Sequence, residues 1–368
     1  MSSVLPRAAS FAEGSKPDVP GLPAGEALSH ALHDAVRLLF RPFDGRRWMK
    51  LTLVCLFLGG GTPTAAFHWS LSSLPGDIRL SEVFIRAVQS ISQSPWLILL
   101  TITLGLGVAL AWLYLRSVFR FILVDSIFRR DVSLGPAWRA LRPLGQSYFF
   151  WLLGLLAALG ITFSVVAAAA YPYVQSAAAA GAHSLGPSLL LVALLASIVL
   201  VGLGVALLVM LTDDLVVPLM YAGRTSLARA WREVGRAISA EPASFAAYLL
   251  LRLAVAVGVG VAVLFFLFPV LLSVFSGAVI AAALLVLLLH ALGLAWVWNA
   301  STILLAVAAL VLLSVLILIL LSVVGMPGQV LLQDFGIYFI ASRFPPLEAM
   351  WRIPSEAPVD RGEAAPPP

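Results

Sequence analysis

Charge is what this sequence has least of. Only 11% of its 368 residues are Asp, Glu, Lys or Arg, against about 25% in a soluble domain. So few charges cannot cover a water-exposed surface of this size, which excludes an ordinary soluble protein. Cysteine is scarcer still: Cys55 stands alone in an apolar run, so no internal disulfide can form. His30, His33, His68, His183 and His290 have no spacing that makes a metal-ligand set. There is no HExxH, no GxSxG, no phosphate-binding GxxxxGK[ST] loop and no Cys-His set. The glycines in the apolar runs follow no strand and carry no nucleotide signature. A hydrolase or ATPase has nothing to run on here, so the chain reads as non-enzymatic, with no cofactor and no metal expected.

What the chain has in excess is apolar length. Hydrophobic residues make up 61% of it and the mean hydropathy is +1.01. Several runs exceed the roughly 18 apolar residues that mark a bilayer span. In lipid the backbone must satisfy its own hydrogen bonds, as helices or as a closed barrel. The runs are unbroken and Leu/Ala-rich instead of alternating, which leaves helices. The expected fold is all-α: a polytopic helical membrane protein of six to seven spans plus interfacial amphipathic helices. The expected division is a disordered cytoplasmic tail over 1–24, a helical membrane domain over 25–352 and a disordered Pro-rich tail over 353–368.

One stretch organises the rest. Residues 214–232, DLVVPLMYAGRTSLARAWR, have two diverged echoes: 121–139, FILVDSIFRRDVSLGPAWR, and 334–352, DFGIYFIASRFPPLEAMWR. Aligned without gaps, all three place Leu (Leu134, Leu227, Leu347), Trp (Trp138, Trp231, Trp351) and Arg (Arg139, Arg232, Arg352) together. Each copy follows a long apolar run. The pattern reads as an internally duplicated module of a membrane helix followed by a basic elbow. Gly105-Leu-Gly-Val-Ala-Leu110 and Gly202-Leu-Gly-Val-Ala-Leu207 are a second trace of duplication.

In chain order, Leu28, Leu32, Val36, Leu39 and Phe43 predict an amphipathic helix lying on the membrane surface. Spans follow at about 49–67, interrupted by Gly59-Gly60-Gly61, and at 96–119, 148–171, 187–211 and 243–268. An interfacial helix is expected near 80–91. Residues 278–298 and 303–324 are apolar enough for two more spans. Positive charge sets the orientation. Seven Lys/Arg lie in residues 1–50, six between the second and third spans, four between the fourth and fifth, and only Arg79 and Arg86 on the other side. The N-terminus and both elbows are therefore expected in the cytoplasm. Seven full crossings would put the C-terminus outside, whereas the third elbow argues for the cytoplasm; the two agree if 278–298 re-enters or lies flat instead of crossing.

Polar residues near or within the spans are the candidate sites. In the second elbow Leu227, Trp231, Val234 and Ile238 share one helix face, with Arg229, Arg232 and Arg236 on the other and Thr225 or Ser226 as cap. With Trp138 and Arg139 of the first elbow, these residues are candidates to contact lipid or phosphate. The plainer reading is an interfacial anchor. Asp213 and Asp214 end the fourth span, where paired acids bind a cation, move protons or simply pair with elbow arginines. Arg252 lies about 15 Å into the fifth span; it needs a partner or a wet cavity there, unless it snorkels. His290 is alone in an apolar run, a pathway residue or a core histidine. Gly154 with Ala158, and Gly105, Gly107, Gly202, Gly204, Gly258 and Gly260, are candidates for close helix contacts.

The elbow RSVFRF with SLGPAWRALRP, its copy through Arg236, and the closing LLQDFGIYFIASRF resemble a group of uncharacterised bacterial membrane proteins. Their membrane region is similar to the one preceding the catalytic domain in some glycerophosphoryl diester phosphodiesterases. The catalytic domain is absent here, so the resemblance implies a fold and a bacterial inner-membrane location, not an activity. Two functions follow. One is a non-enzymatic module that organises or senses lipids or partner proteins through its basic cytoplasmic face. The other is a small-solute or lipid transporter with Arg252, Asp213, Asp214 and His290 along its pathway. Expected partners are membrane lipids, anionic headgroups among them, and either a membrane protein or a second copy of the chain; no nucleic acid is expected.

Overall fold

A computed structural model of the chain describes residues 21–41, 43–59, 94–180, 185–293 and 300–344, with Leu347 and Met350. Every regular element among them is helical. In order these are α1 (Ala24–Phe40), α2 (Gly45–Leu58), α3 (Pro95–Arg129), α4 (Leu134–Ala180) and α5 (Leu185–Leu211). A π turn (Thr212–Val216) then leads into α6 (Val217–Gly223), followed by α7 (Leu227–Ala240), α8 (Pro242–Ala291) and α9 (Ala300–Ala341). Prolines open α3 and α8, where a missing N–H costs nothing. The Asp44 carboxylate caps α2 by accepting from Arg46 N at 2.9 Å, and Gly59 ends it at φ 94°.

Five helical stretches are long and apolar enough to cross a bilayer: Pro95–Arg129, Leu134–Tyr173, Val192–Gly223, Pro242–Ala291 and Val311–Ala341. The chain is an all-α protein built for the membrane. Each stretch has one end in a common packed region, formed by α1, α2, α6, α7 and the elbow-side ends of α3, α4, α8 and α9. Beyond that region side chains such as Leu99, Leu104, Ile161, Leu200, Phe265 and Leu312 are exposed, an apolar shell that only lipid satisfies.

Several expectations are corrected. The described residues hold five candidate spans. Of the expected 49–67 span only α2 is described, about 21 Å long. Its remainder, the 80–91 helix, residues 1–20, residues 353–368, Trp351 and Arg352 lie outside the described residues, while 21–24 of the expected first tail are ordered against the end of α9. Residues 243–268 and 278–291 are not separate elements. Pro269 sits inside one 50-residue helix, about 75 Å long against a hydrocarbon core of about 30 Å. α8 and α9 form one antiparallel pair. Arg343, just after α9, bonds Glu241, just before α8, at 2.9 and 3.2 Å. The end of α9 thus lies beside the α3–α4 and α6–α7 elbows without residues 278–291 re-entering.

The apolar residues of α1 divide between two faces. The helix packs on α9 through Ala24, Ala27, Ala31, Ala35 and Leu38, while Leu32 and Phe40 are 51% and 50% exposed. The glycines change roles too. A Cβ at Gly105, Gly107, Gly154, Gly202, Gly204, Gly258 or Gly260 would meet nothing within 4 Å. The close approaches are at Gly145 against Val118, Gly328 against Val259 and Gly336 against Asp214. A Cβ on Gly145 would lie 2.7 Å from Val118 Cγ2 and 2.9 Å from its Cα, so α3 and α4 can touch there only through glycine. Gly145→Ala is expected to destabilise by about 1–3 kcal/mol through overpacking, while Gly154→Ala should leave the thermal melt in detergent nearly unchanged. Equal melts for the two variants would contradict this α3–α4 contact.

Candidate functional site

The site starts from one proline. Pro218 has no N–H to offer the carbonyl of Asp214, and its ring crowds that oxygen. The helix responds by widening: Val217 N bonds Thr212 O, five residues back, and Thr212–Val216 forms a π turn. The wide turn is covered by α9. Gln333 Nε2 donates to Asp213 O at 3.4 Å. Gly336 packs so close that a Cβ there would lie 2.7 Å from Asp214 O.

Both acids of the turn point into the packed region and meet two arginines. Arg252 of α8 donates from Nε to Asp214 Oδ2 at 2.7 Å, with Nη2 3.5 Å from Oδ1. Arg120 of α3 places Nη2 3.4 Å from both Asp213 Oδ2 and Asp214 Oδ1. Two tyrosines complete the shell. Tyr148 of α4 donates to Asp213 at 2.5 Å and Tyr248 of α8 to Asp214 at 3.2 Å. Tyr248 is held in turn by Phe339 and Phe335, at 4.4 and 4.9 Å between ring centres. The four charges cancel. Side-chain exposure is 1% for Asp214 and 12% for Arg252, so neither ion keeps its hydration and each depends on its partners. Arg252 therefore pairs; it does not snorkel. His290 does not join, being exposed near the far end of α8, about 57 Å along the axis at 1.5 Å per residue.

The second elbow lies just beyond the network. In α7 Ala230 and Val234 are buried, and Leu227, Trp231 and Ile238 rest on the packed region, as their spacing predicts. Arg229, Arg232 and Arg236 face outward; Arg236 is tied to Glu233 at 2.8 Å. Neither Thr225 nor Ser226 makes the expected side-chain cap, although Ser226 is the N-cap residue. The two elbow tryptophans are half-buried. The indole N–H of Trp231 is buried without an acceptor. Trp138 packs on Phe119 and Tyr114, at 5.8 and 6.1 Å. Arg139 beside it is exposed.

Further pairs fix the elbows. Asp125 accepts from Arg129 at 2.8 Å and from Tyr221 at 2.6 Å, joining the ends of α3 and α6. Asp34 of α1 accepts from Tyr338 of α9 and lies 3.4 Å from Arg130. Asp334, aligned with Asp214 in the sequence, has an unbonded buried Oδ1. Sequence reasoning placed Asp213, Asp214 and Arg252 in one candidate set but missed Arg120, Tyr148, Tyr248 and Gln333. Arg120 looked like the cap of a span. Tyr248 carried a usable signal: it stands four residues before Arg252 on one helix face.

A family model matches residues 22–350. The chain belongs to DUF7544, a family of unknown function. No curated protein and no solved structure matches it. Nothing among these matches links the chain to the glycerophosphoryl diester phosphodiesterases.

The network makes a signed prediction for this DUF7544 protein. Arg252→Leu leaves Asp214 underpaired in a buried setting and should cost about 3–5 kcal/mol. Arg252→Lys keeps the charge but loses the fork, and should cost less. Arg252→Leu with Asp214→Asn leaves one charge of each sign, Arg120 and Asp213, and should recover much of the loss. Thermal melts in detergent check the order; a leucine variant melting at or above the parent would refute the pairing.

Proposed function

We propose that this protein is a non-enzymatic integral membrane module that organises or senses anionic lipids, or a partner protein, through the basic face of its elbows. The observation that carries the reading is the separation of charge in the fold. The buried charges at the π turn compensate one another, whereas Arg229 and Arg232 stand exposed, with no ion pair among the described residues, on a helix whose other face is locked to the packed region. Free positive charge at the edge of an apolar shell is what anionic headgroups attract. The duplication reading fits as well. The helices after α3 and α6 start at the aligned Leu134 and Leu227. The proposed location is the bacterial inner membrane, with the N-terminus and elbows in the cytoplasm.

The transporter reading draws less support. Arg252, Asp213 and Asp214 do meet, but they bond one another and the tyrosines. His290 stands apart, so the four do not line one path.

Two measurements test the proposal. Replacing Arg229 and Arg232 together by Gln should lower enrichment of phosphatidylglycerol over phosphatidylcholine around the purified protein by up to about 2 kcal/mol, a factor of about 30. Native mass spectrometry of co-purified lipid reads it, and unchanged enrichment leaves only the anchoring role. Orientation is checked with single reporters, because the native Cys55 is buried. In intact cells an impermeant thiol reagent should label Ala180→Cys and spare Ser226→Cys. The reverse pattern would invert the topology.

A further inference from the structure

A second charged site lies outside the buried network. A pocket of about 100 Å³ opens between the end of α3, the start of α4 and the end of α6. Asp125, Arg129, Tyr221 and Arg224 supply its polar lining, with Ser133 at the foot of α4; Ala137, Ala140 and Leu141 form an apolar wall. The charges in it do not balance. Asp125 is already held by Arg129 at 2.8 Å and by the Tyr221 hydroxyl at 2.6 Å. Arg224 is exposed and has no ion pair among the described residues. The first turn of α4 adds the positive end of a 47-residue helix. The pocket therefore holds one uncompensated guanidinium, a second that is already oriented, and a helix start, around a space smaller than the roughly 150 Å³ that takes benzene. A compact oxyanion fits that size and that charge.

We propose that this pocket binds a phosphate group, with Arg224 as its main cation, Arg129 as a supporting donor and the positive end of α4 as background field. The source is either the headgroup of a phospholipid with a terminal phosphate or a free phosphate ion. The assignment deepens the lipid reading by giving it a specific site, and it rests on that reading only for a lipid source. Arg224 holds its backbone at φ 46°, where glycine is at ease and arginine is strained. The position thus keeps its charge against its own backbone preference.

That strain yields a clean variant. Arg224→Gly removes the charge and suits the backbone, so it should melt no lower than the parent without ligand. The test is the thermal melt of the full chain in neutral detergent. Probes are short-chain phosphatidic acid and inorganic phosphate, with short-chain phosphatidylcholine and chloride at matched ionic strength as controls. The parent is expected to gain several degrees with phosphatidic acid. Arg224→Gly and the pocket-filling Ala140→Phe should lose that gain, Arg224→Lys should keep part of it, and Arg229→Gln with Arg232→Gln should keep all of it. A response to phosphatidic acid alone identifies a lipid headgroup; a response to both probes shows that the phosphate ion suffices. No response of the parent to either probe overturns the proposal, as does a response that survives both Arg224→Gly and Ala140→Phe. If the response follows Arg229 and Arg232 and not Arg224, binding belongs to α7: the pocket falls and the lipid reading stands.

Discussion

The pairing of Arg120 and Arg252 with Asp213 and Asp214 is the constraint on which the rest of the fold depends. Between helices in lipid the hydrophobic effect gives little attraction, because a lipid tail is as apolar as leucine. What brings α3, α4, the π turn, α8 and α9 to one point is hydrogen bonding and close packing. Removing any one of these elements leaves a buried charge or hydroxyl without its partner. The contacts that surround the network are correspondingly tight: Gly336 against the Asp214 carbonyl, and the Tyr248 ring against Phe335 and Phe339. The π turn matters because it sits where the two acids sit. Widening the helix at Pro218 leaves backbone carbonyls for α9 to cover, and Gln333 uses one of them.

The sequence shows the helices of this fold more readily than it shows their faces. Length and apolarity are enough to find a span, and each of the five long helices contains an expected run, although α8 joins two of them. Which side of a helix faces protein is another matter. The stripe rule assumes water on the far side, so large apolar residues point inward. At a lipid boundary the large residues are free to point outward, and α1 does this: its alanines approach α9 while Leu32, Val36 and Phe40 face out. The glycines invert in the same way. Gly105, Gly107, Gly202 and Gly204 look like contact residues by spacing, yet stand open; Gly145 and Gly336, outside that pattern, make the close approaches. The 50-residue α8 has a similar cause. Nothing polar ends it, and Pro269 alone does not break a helix whose backbone has no water to turn to.

The site was legible to the extent that a charge in an apolar run demands a partner. Arg252 and the Asp213-Asp214 pair stand out for that reason, and the demand brings them together. Arg120 was hidden by its place near a span end, where an arginine is ordinary. Tyr148 and Tyr248 were hidden because a tyrosine near a membrane boundary is ordinary too. Trp138 and Trp231, at the same boundary, are half-buried. A boundary residue can turn inward as well as outward, and these pack on the protein. Only the packing of α3, α4 and α8 tells the two cases apart.

Charge placement follows from this division of labour. The whole chain carries a net charge of +5, yet the network at the π turn is neutral. The other described acids that meet arginines, Asp34, Asp125, Glu233 and Glu241, do so at the elbow end of the bundle. The arginines left exposed there without an ion pair include Arg139, Arg224, Arg229 and Arg232. Among the described residues, internal pairing thus neutralises the arginines and acids of the π turn and leaves unpaired arginines at the elbow end. On the proposed reading an anion arriving at that end meets Arg224, Arg229 and Arg232, which pair with no acid among the described residues. It can bind and leave without opening the network that keeps the helices together, and the exposed arginines can be substituted without unfolding the protein.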